Sequence, residues 1–305
     1  MTSALTSEFG YFPEPLASKI GNIEISTLPE IKARTEAVTN HPGVENDWIY
    51  PGPQRRNTMG IGIRELPYPS RIFGLPKTHR ISHGAADGPE HLEFLVWSLS
   101  FFTGMRLTTT EAGFVDATPI KPFKLVDFVL SPATYARSLA LAETFWQVNR
   151  AAPARAKRWT AALHALFIAH YPQSLQFERF IYLYGALDTC FSLAAELTPP
   201  ARRPRHHAER IAWMCGLFGM PVPAWATTTL GNSTEVATIR NATIHETLFM
   251  NAPLGFALHG VGTGHHLTLE MEALICRLLV ALIGAPTADY VRSPVNTRQI
   301  HGLDL

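Results

Sequence analysis

Cysteine is scarce in this chain. There are three, Cys190, Cys215 and Cys276, an odd number set far apart in apolar stretches. That excludes a disulfide framework and fits buried free thiols in a reducing compartment. Net charge is nearly absent too. Lys and Arg number 26 against 25 Asp and Glu, a formal charge of +1. There is then no bulk electrostatic drive toward nucleic acid or membranes, and any nucleic-acid site has to be a local patch. The opening MTSALTSEFGYF has neither a basic start nor an apolar run, so no signal peptide is expected. The longest apolar run, LICRLLVALIGA, is too short to span a bilayer and contains Arg277. No GxSxG elbow, phosphate loop, GxGxxG unit or internal repeat is present. The expectation is a soluble, cytoplasmic, globular protein without a cofactor.

What is present falls into two halves. Residues 1–130 hold about half of the 23 prolines and most of the turn signals, PGPQ, YPSR, GLPK and ADGP. Short candidate strands lie between them: NIEIST, DWIYP, MGIGIREL and SRIFGL. One largely buried helix, PEHLEFLVWSLSFFTGM, interrupts them. RLTTTEAGFVDA and KLVDFVL read as further strands. Residues 131–305 read as six successive helices: to about Asn149, over 154–171, over 175–197, over 207–219, from Asn232, and over 267–284. Pro172 and Pro199-Pro200 stop two of them, and Gly219 and Gly284 end two more. Asn232 with Glu235 has capping-box spacing at the fifth start. The fold class is α+β: a β-rich domain over 1–130 and a helical domain over 131–305.

The fifth helix carries IRNATIHETLF. Arg240 can grip a phosphate through two hydrogen bonds, and His245 can exchange a proton near neutral pH. Asn241 lies four residues before His245, so on an α-helix the two share a face. Arg240 points about 100° away, within reach of its long side chain. The bare spacing is weak, since Arg158/His164 and Arg202/His207 repeat it. Only Arg240 is followed by a polar orienter, and Pro204 interrupts the Arg202/His207 stretch.

These residues resemble the HEPN superfamily, helical bundles frequent in RNA-cleaving toxins and antiviral defence systems. The resemblance rests on Arg240-Asn241-x3-His245, on Asp188 in the preceding GALDTCF, and on the ending RLLVALIGAPTADY. It implies a metal-independent endoribonuclease whose motif helix meets its copy across a homodimer two-fold. His245 would be the general acid/base, and Arg240 would bind the scissile phosphate. Asn241 would orient His245 or the phosphate, and Asp188 would hold Arg240 or His245. The substrate would be RNA, cut through its own 2′-hydroxyl, and the N-terminal domain would recognise a protein or nucleic-acid partner. Asp stands at 188 where the family more often has Glu. Some members only bind nucleotides, RNA or proteins.

Four other readings remain. Arg240 and His245 can simply pair with acids in a helix bundle. His79, His83 and His91, with Asp87 and Glu90, form a His/acid cluster suited to a metal-dependent hydrolase, although Gly84 and Gly88-Pro89 make THRISHGAADGPEHLE read as a polar loop. The basic run ARRPRHHAER reads as a solvated loop and helix start. HGVGTGHH reads as a flexible connection from which His265 or His266 approaches a cleft.

Overall fold

The structure is a computed structural model, and it describes residues 4–60, 62–131, 134–198, 203–228, 232–249, 267–296 and 301–305. The expected loop with His265 and His266 lies outside these. The chain is α+β. It divides into two compact units, one of residues 1–125 and 132–143, the other of 126–131 and 144–305. The chain therefore passes between units more than once, rather than at a single cut near residue 130.

Unit 1 is built on a four-stranded antiparallel sheet. Its strands are β1 (Leu5–Phe9), β2 (Ser18–Ile20), β3 (Ile23–Thr27) and β9 (His79–His83), in the order β1-β9-β3-β2. Alternation sets one face inward: Ile23 and Ile25 on β3 and His79, Ile81 and His83 on β9 are buried. Helix α2 (Pro89–Thr103) covers it, with Leu92, Leu95, Leu99, Phe101 and Phe102 buried. Pro89 opens α2 and Gly104, at φ 59°, closes it. Smaller sheets join β4 (Val44–Glu45), β5 (Trp48–Ile49) and β11 (Thr118–Pro119), and β8 (Ile72–Phe73) with β10 (Phe114–Val115). β6 (Pro53–Thr58) and β7 (Gly62–Pro69) form a two-stranded ribbon of their own.

Three expectations for this half are corrected. THRISH is a central strand, not a loop. Its two inward histidines alternate with Ile81, and that period was hidden by their polarity. Helix α1 (Ile31–Thr39) was not expected. Only Val38 of it is buried, so it has no apolar stripe to read. RLTTTEAGFVDA yields only the short β10.

Unit 2 is a helical bundle. Helices α4 (Ala154–Ala169), α5 (Gln176–Leu197) and α8 (Leu267–Ile283) pack on one another. α6 (His207–Phe218) lies against α5, and α7 (Glu235–Asn241) against α6. Helix α3 (Tyr135–Val148) belongs to unit 1 up to Glu143 and to unit 2 from Thr144. From Met271 on, every residue of α8 is buried. Each fully buried Leu or Ile there contributes about 1.5–3 kcal/mol. Trp159 of α4 donates its indole N–H to the Leu279 carbonyl at 3.1 Å. Arg277, 1% exposed, spends its donors on Asp127 at 2.7 Å and on Ser293 O, Ser293 Oγ and Pro294 O at 3.0–3.2 Å. A buried charge survives there because each donor is met. The only strand described beyond residue 131 is β13 (His301–Leu303), parallel to β12 (Phe128–Leu130). α9 (Asp289–Arg292) is a single turn. By length and composition α5 alone among the described helices could cross a membrane, and half of its apolar window is buried inside the protein.

Candidate active site

Helix α7 starts at Glu235, three residues later than Asn232 suggests. Thr234 is its N-cap, accepting the Ala237 N–H at 3.2 Å. After Asn241 the chain does not continue as α-helix. Residues Ala242–Glu246 form one π-helical turn, ended by Thr247 at φ 58°. The segment is held from below, where Phe249 packs on Phe177 and Phe180 of α5.

The wide turn decides which side chains meet. A π turn is closed by hydrogen bonds five residues apart, where an α-helix closes at four. It therefore brings Arg240 onto His245, where an α-helix would have aligned Asn241 with His245. Arg240 Nη1 donates to His245 Nε2 at 3.0 Å and to Asn241 Oδ1 at 2.9 Å. Arg has no acceptor, so Nε2 must be unprotonated and the ring proton must sit on Nδ1. Asn241 and His245 are exposed and Arg240 is half-buried. Arg240 Nε is buried with no partner.

Asp188 is in the neighbourhood but not in the expected role. Its Oδ1 accepts from Arg210 Nη1 at 2.8 Å and lies 3.6 Å from His207 Nδ1. Among the described contacts its partners come from α6, not from the motif segment. Tyr184, one turn earlier on α5, bonds His207 Nδ1 through its hydroxyl at 2.8 Å. The Arg240 guanidinium carbon is 6.0 Å from the Tyr184 ring centre. Burial, then the Asp188 charge, pushes the Tyr184 hydroxyl well up, so it keeps its proton and donates it. The His207 ring is pushed down, first by burial and then by the Arg210 and Arg240 cations, against the pull of Asp188. Beside this group lies a cleft of about 720 Å³, lined by Arg205, His206, His207, Asn232 and Asn241 among others.

Sequence reasoning missed Tyr184, His207 and Arg210. The signal was there as two helical pairs, Tyr184/Asp188 at four residues and His207/Arg210 at three, each presenting one face. ARRPRHHAER is thus partly a site element: Arg203, His207 and Arg210 all engage α5.

The His/acid cluster of unit 1 is also rearranged. His79 is not in it. Its Nδ1 is 2.9 Å from Thr78 Oγ1, its ring lies against Phe9 and Phe12, and burial lowers its pKa to about 4. The third member is Glu143 of α3, a residue sixty positions away in sequence. Its Oε2 lies 2.7 Å from His91 Nε2 and 3.2 Å from His83 Nε2. These are the described residues best grouped for a cation. Their hydrogen bonds favour a different role. The Ala85 N–H points at His83 Nδ1 at 3.0 Å, and the Asp87 N–H at His91 Nδ1 at 3.4 Å. With Nδ1 accepting, each neutral ring carries its proton on Nε2 and donates it to Glu143. A metal on Nε2 would force both protons onto nitrogens that already face N–H groups. The cluster as built is a clamp of two donors on one carboxylate.

No family model, curated protein or solved structure matches the chain. Its chemistry is read from its own geometry.

Proposed function

We propose that unit 2 is a metal-independent endoribonuclease of HEPN type, working in the cytoplasm as the effector of a toxin or defence system. The observation that supports it is the exposed Arg240–His245 contact, a fixed cation on the lone pair of a neutral imidazole. An arriving phosphodiester gives the guanidinium a better, bidentate partner. Arg240 then turns to the phosphate oxygens and His245 Nε2 is released as a base. It takes the proton of the ribose 2′-hydroxyl, whose oxygen attacks phosphorus. The bond to the 5′-oxygen breaks, and that oxygen takes a proton from a second imidazolium. A symmetric homodimer supplies it as His245 of the other copy. The products are a cyclic phosphate and a 5′-hydroxyl. Asn241 steadies Arg240, and Asp188 acts at one remove, fixing Arg210 and His207 beside the cleft.

The test is cleavage of single-stranded RNA in EDTA by purified wild type, His245→Ala and Arg240→Lys. Wild type should cut. His245→Ala should lose about 10²–10⁴-fold in rate, and Arg240→Lys should fail for want of the planar fork. Because His245 is exposed, its melting temperature should be unchanged. If wild type binds RNA without cutting, the site is a binding module. If His245→Ala cuts as fast, the assignment is wrong.

A further inference from the structure

The β6–β7 ribbon has no evident use inside unit 1. Its residues are exposed on both faces apart from Thr58 and Leu66, which are half-buried. Among the described residues its strands pair only with each other, and an isolated two-stranded ribbon is marginal in water. The turn passes through Gly60 and Gly62 at φ 83° and 86°, backbone that suits glycine. Next to them Met59 is wholly exposed.

Charge distinguishes this ribbon from an ordinary loop. It has Arg55, Arg56 and Arg64 against one acid, Glu65, in a chain whose overall charge is +1. Arg55 pairs with Glu65 at 3.1 Å. Arg56 and Arg64 are direct cross-strand partners, so they lie on one face beside each other. Neither has a hydrogen-bond or ion-pair partner among the described residues. Like charges placed opposite cost stability unless an anion lies between them. Farther along β7, Tyr68 is 53% exposed, offering a ring to an unstacked base. Two free guanidiniums for phosphates and an exposed aromatic are the parts used to hold a single strand.

We infer that the β6–β7 ribbon is a docking arm for single-stranded nucleic acid. It does not depend on the nuclease reading, since binding can be measured without cleavage. A lipid surface is disfavoured because the exposed apolar residues Met59 and Ile63 stand singly on a basic shaft.

The probe is a fluorescent 2′-O-methyl oligouridine, which lacks the hydroxyl that cleavage needs. Its binding to the full chain is followed by anisotropy against salt. The arms are the matching deoxy strand, an RNA duplex, polyglutamate as competitor, and anionic vesicles. Wild type should bind both single strands more tightly than the duplex. The Arg56→Gln/Arg64→Gln double variant should lower the salt slope by about two. Its melting temperature should not fall, because a repulsion is removed. Tyr68→Ala should weaken binding by about tenfold. The inference is overturned if wild type binds no single strand, if the variants bind with unchanged slope and affinity, or if vesicles or polyglutamate are preferred. Should the ribbon variants bind normally while His245→Ala still abolishes cleavage, the arm fails and the nuclease stands.

Discussion

His79 and its neighbours show how burial turns a familiar residue type to different ends. His79 is shut in an apolar setting, and its pKa falls from 6.5 to about 4. The unfolded chain takes up that proton near pH 6.5, while the folded one resists until about pH 4. This contribution to stability is therefore complete above pH 6.5 and declines as pH falls through that window. His79→Leu should flatten the loss of stability between pH 6.5 and 4, measured by denaturant unfolding at each pH. His91→Ala removes the shorter of the two bonds to Glu143 and leaves a hole in a buried site. It should cost about 2–4 kcal/mol. EDTA should leave the wild-type melting temperature unchanged. A clear drop in EDTA would mean that a metal, not two protons, joins these rings. None of this was legible beforehand. His79, His83 and His91 were singled out together with Asp87 and Glu90, but His79 stands apart and Glu143 arrives through the fold from a distant helix, and no spacing rule reaches that far.

At the scale of elements, the motif segment is the informative case. Arg240, Asn241 and His245 could be picked from the sequence, but their geometry could not. The expected α-helical period pairs residues four apart, whereas the π turn pairs residues five apart. The extra residue is the feature to test. Deleting Ala242 should tighten the turn toward α-helix and carry His245 round by about 100°. Cleavage should disappear while circular dichroism and the melting temperature stay close to wild type. Retained cleavage would mean that Arg240 and His245 need not touch. Helix starts tell a similar story. Asn232 and Thr234 are both good caps by residue type, and only the Ala237 N–H shows which one is used. Thr234→Ala should cost about 1 kcal/mol. The long apolar helices α5 and α8 were readable because their burial is decided along their own length. β9 was not, because two of its three inward residues are histidines.

At the scale of the whole molecule, the α+β class and the passage from a strand-rich first half to a helical second half could be read from proline and turn placement. The exact division could not, because it depends on Val126–Ser131 joining residues from the far end of the chain. Arg277 was noted only as an interruption in an apolar run. It proves to be a hub whose removal leaves Asp127 and three backbone or hydroxyl oxygens short of donors. Arg277→Leu should destabilise by about 3–5 kcal/mol. A change under about 1 kcal/mol, read by urea unfolding, would mean that water replaces it. For assembly, His245 is exposed and its contact with the half-buried Arg240 is open to solvent, as the proposed shared cleft would need. Light scattering at micromolar concentration should give the mass of a dimer.

The pairing of β12 with β13 has a consequence in time. β12 leaves the ribosome well before the strand that lies beside it. At about 5–20 residues per second its edge waits roughly 10–30 s for a partner. During that interval Phe128–Leu130 is an unpaired strand, free to add to any other open edge. A nascent chain stalled before residue 301 should then be more prone to aggregate than the finished protein, and more readily cut by protease near residue 130.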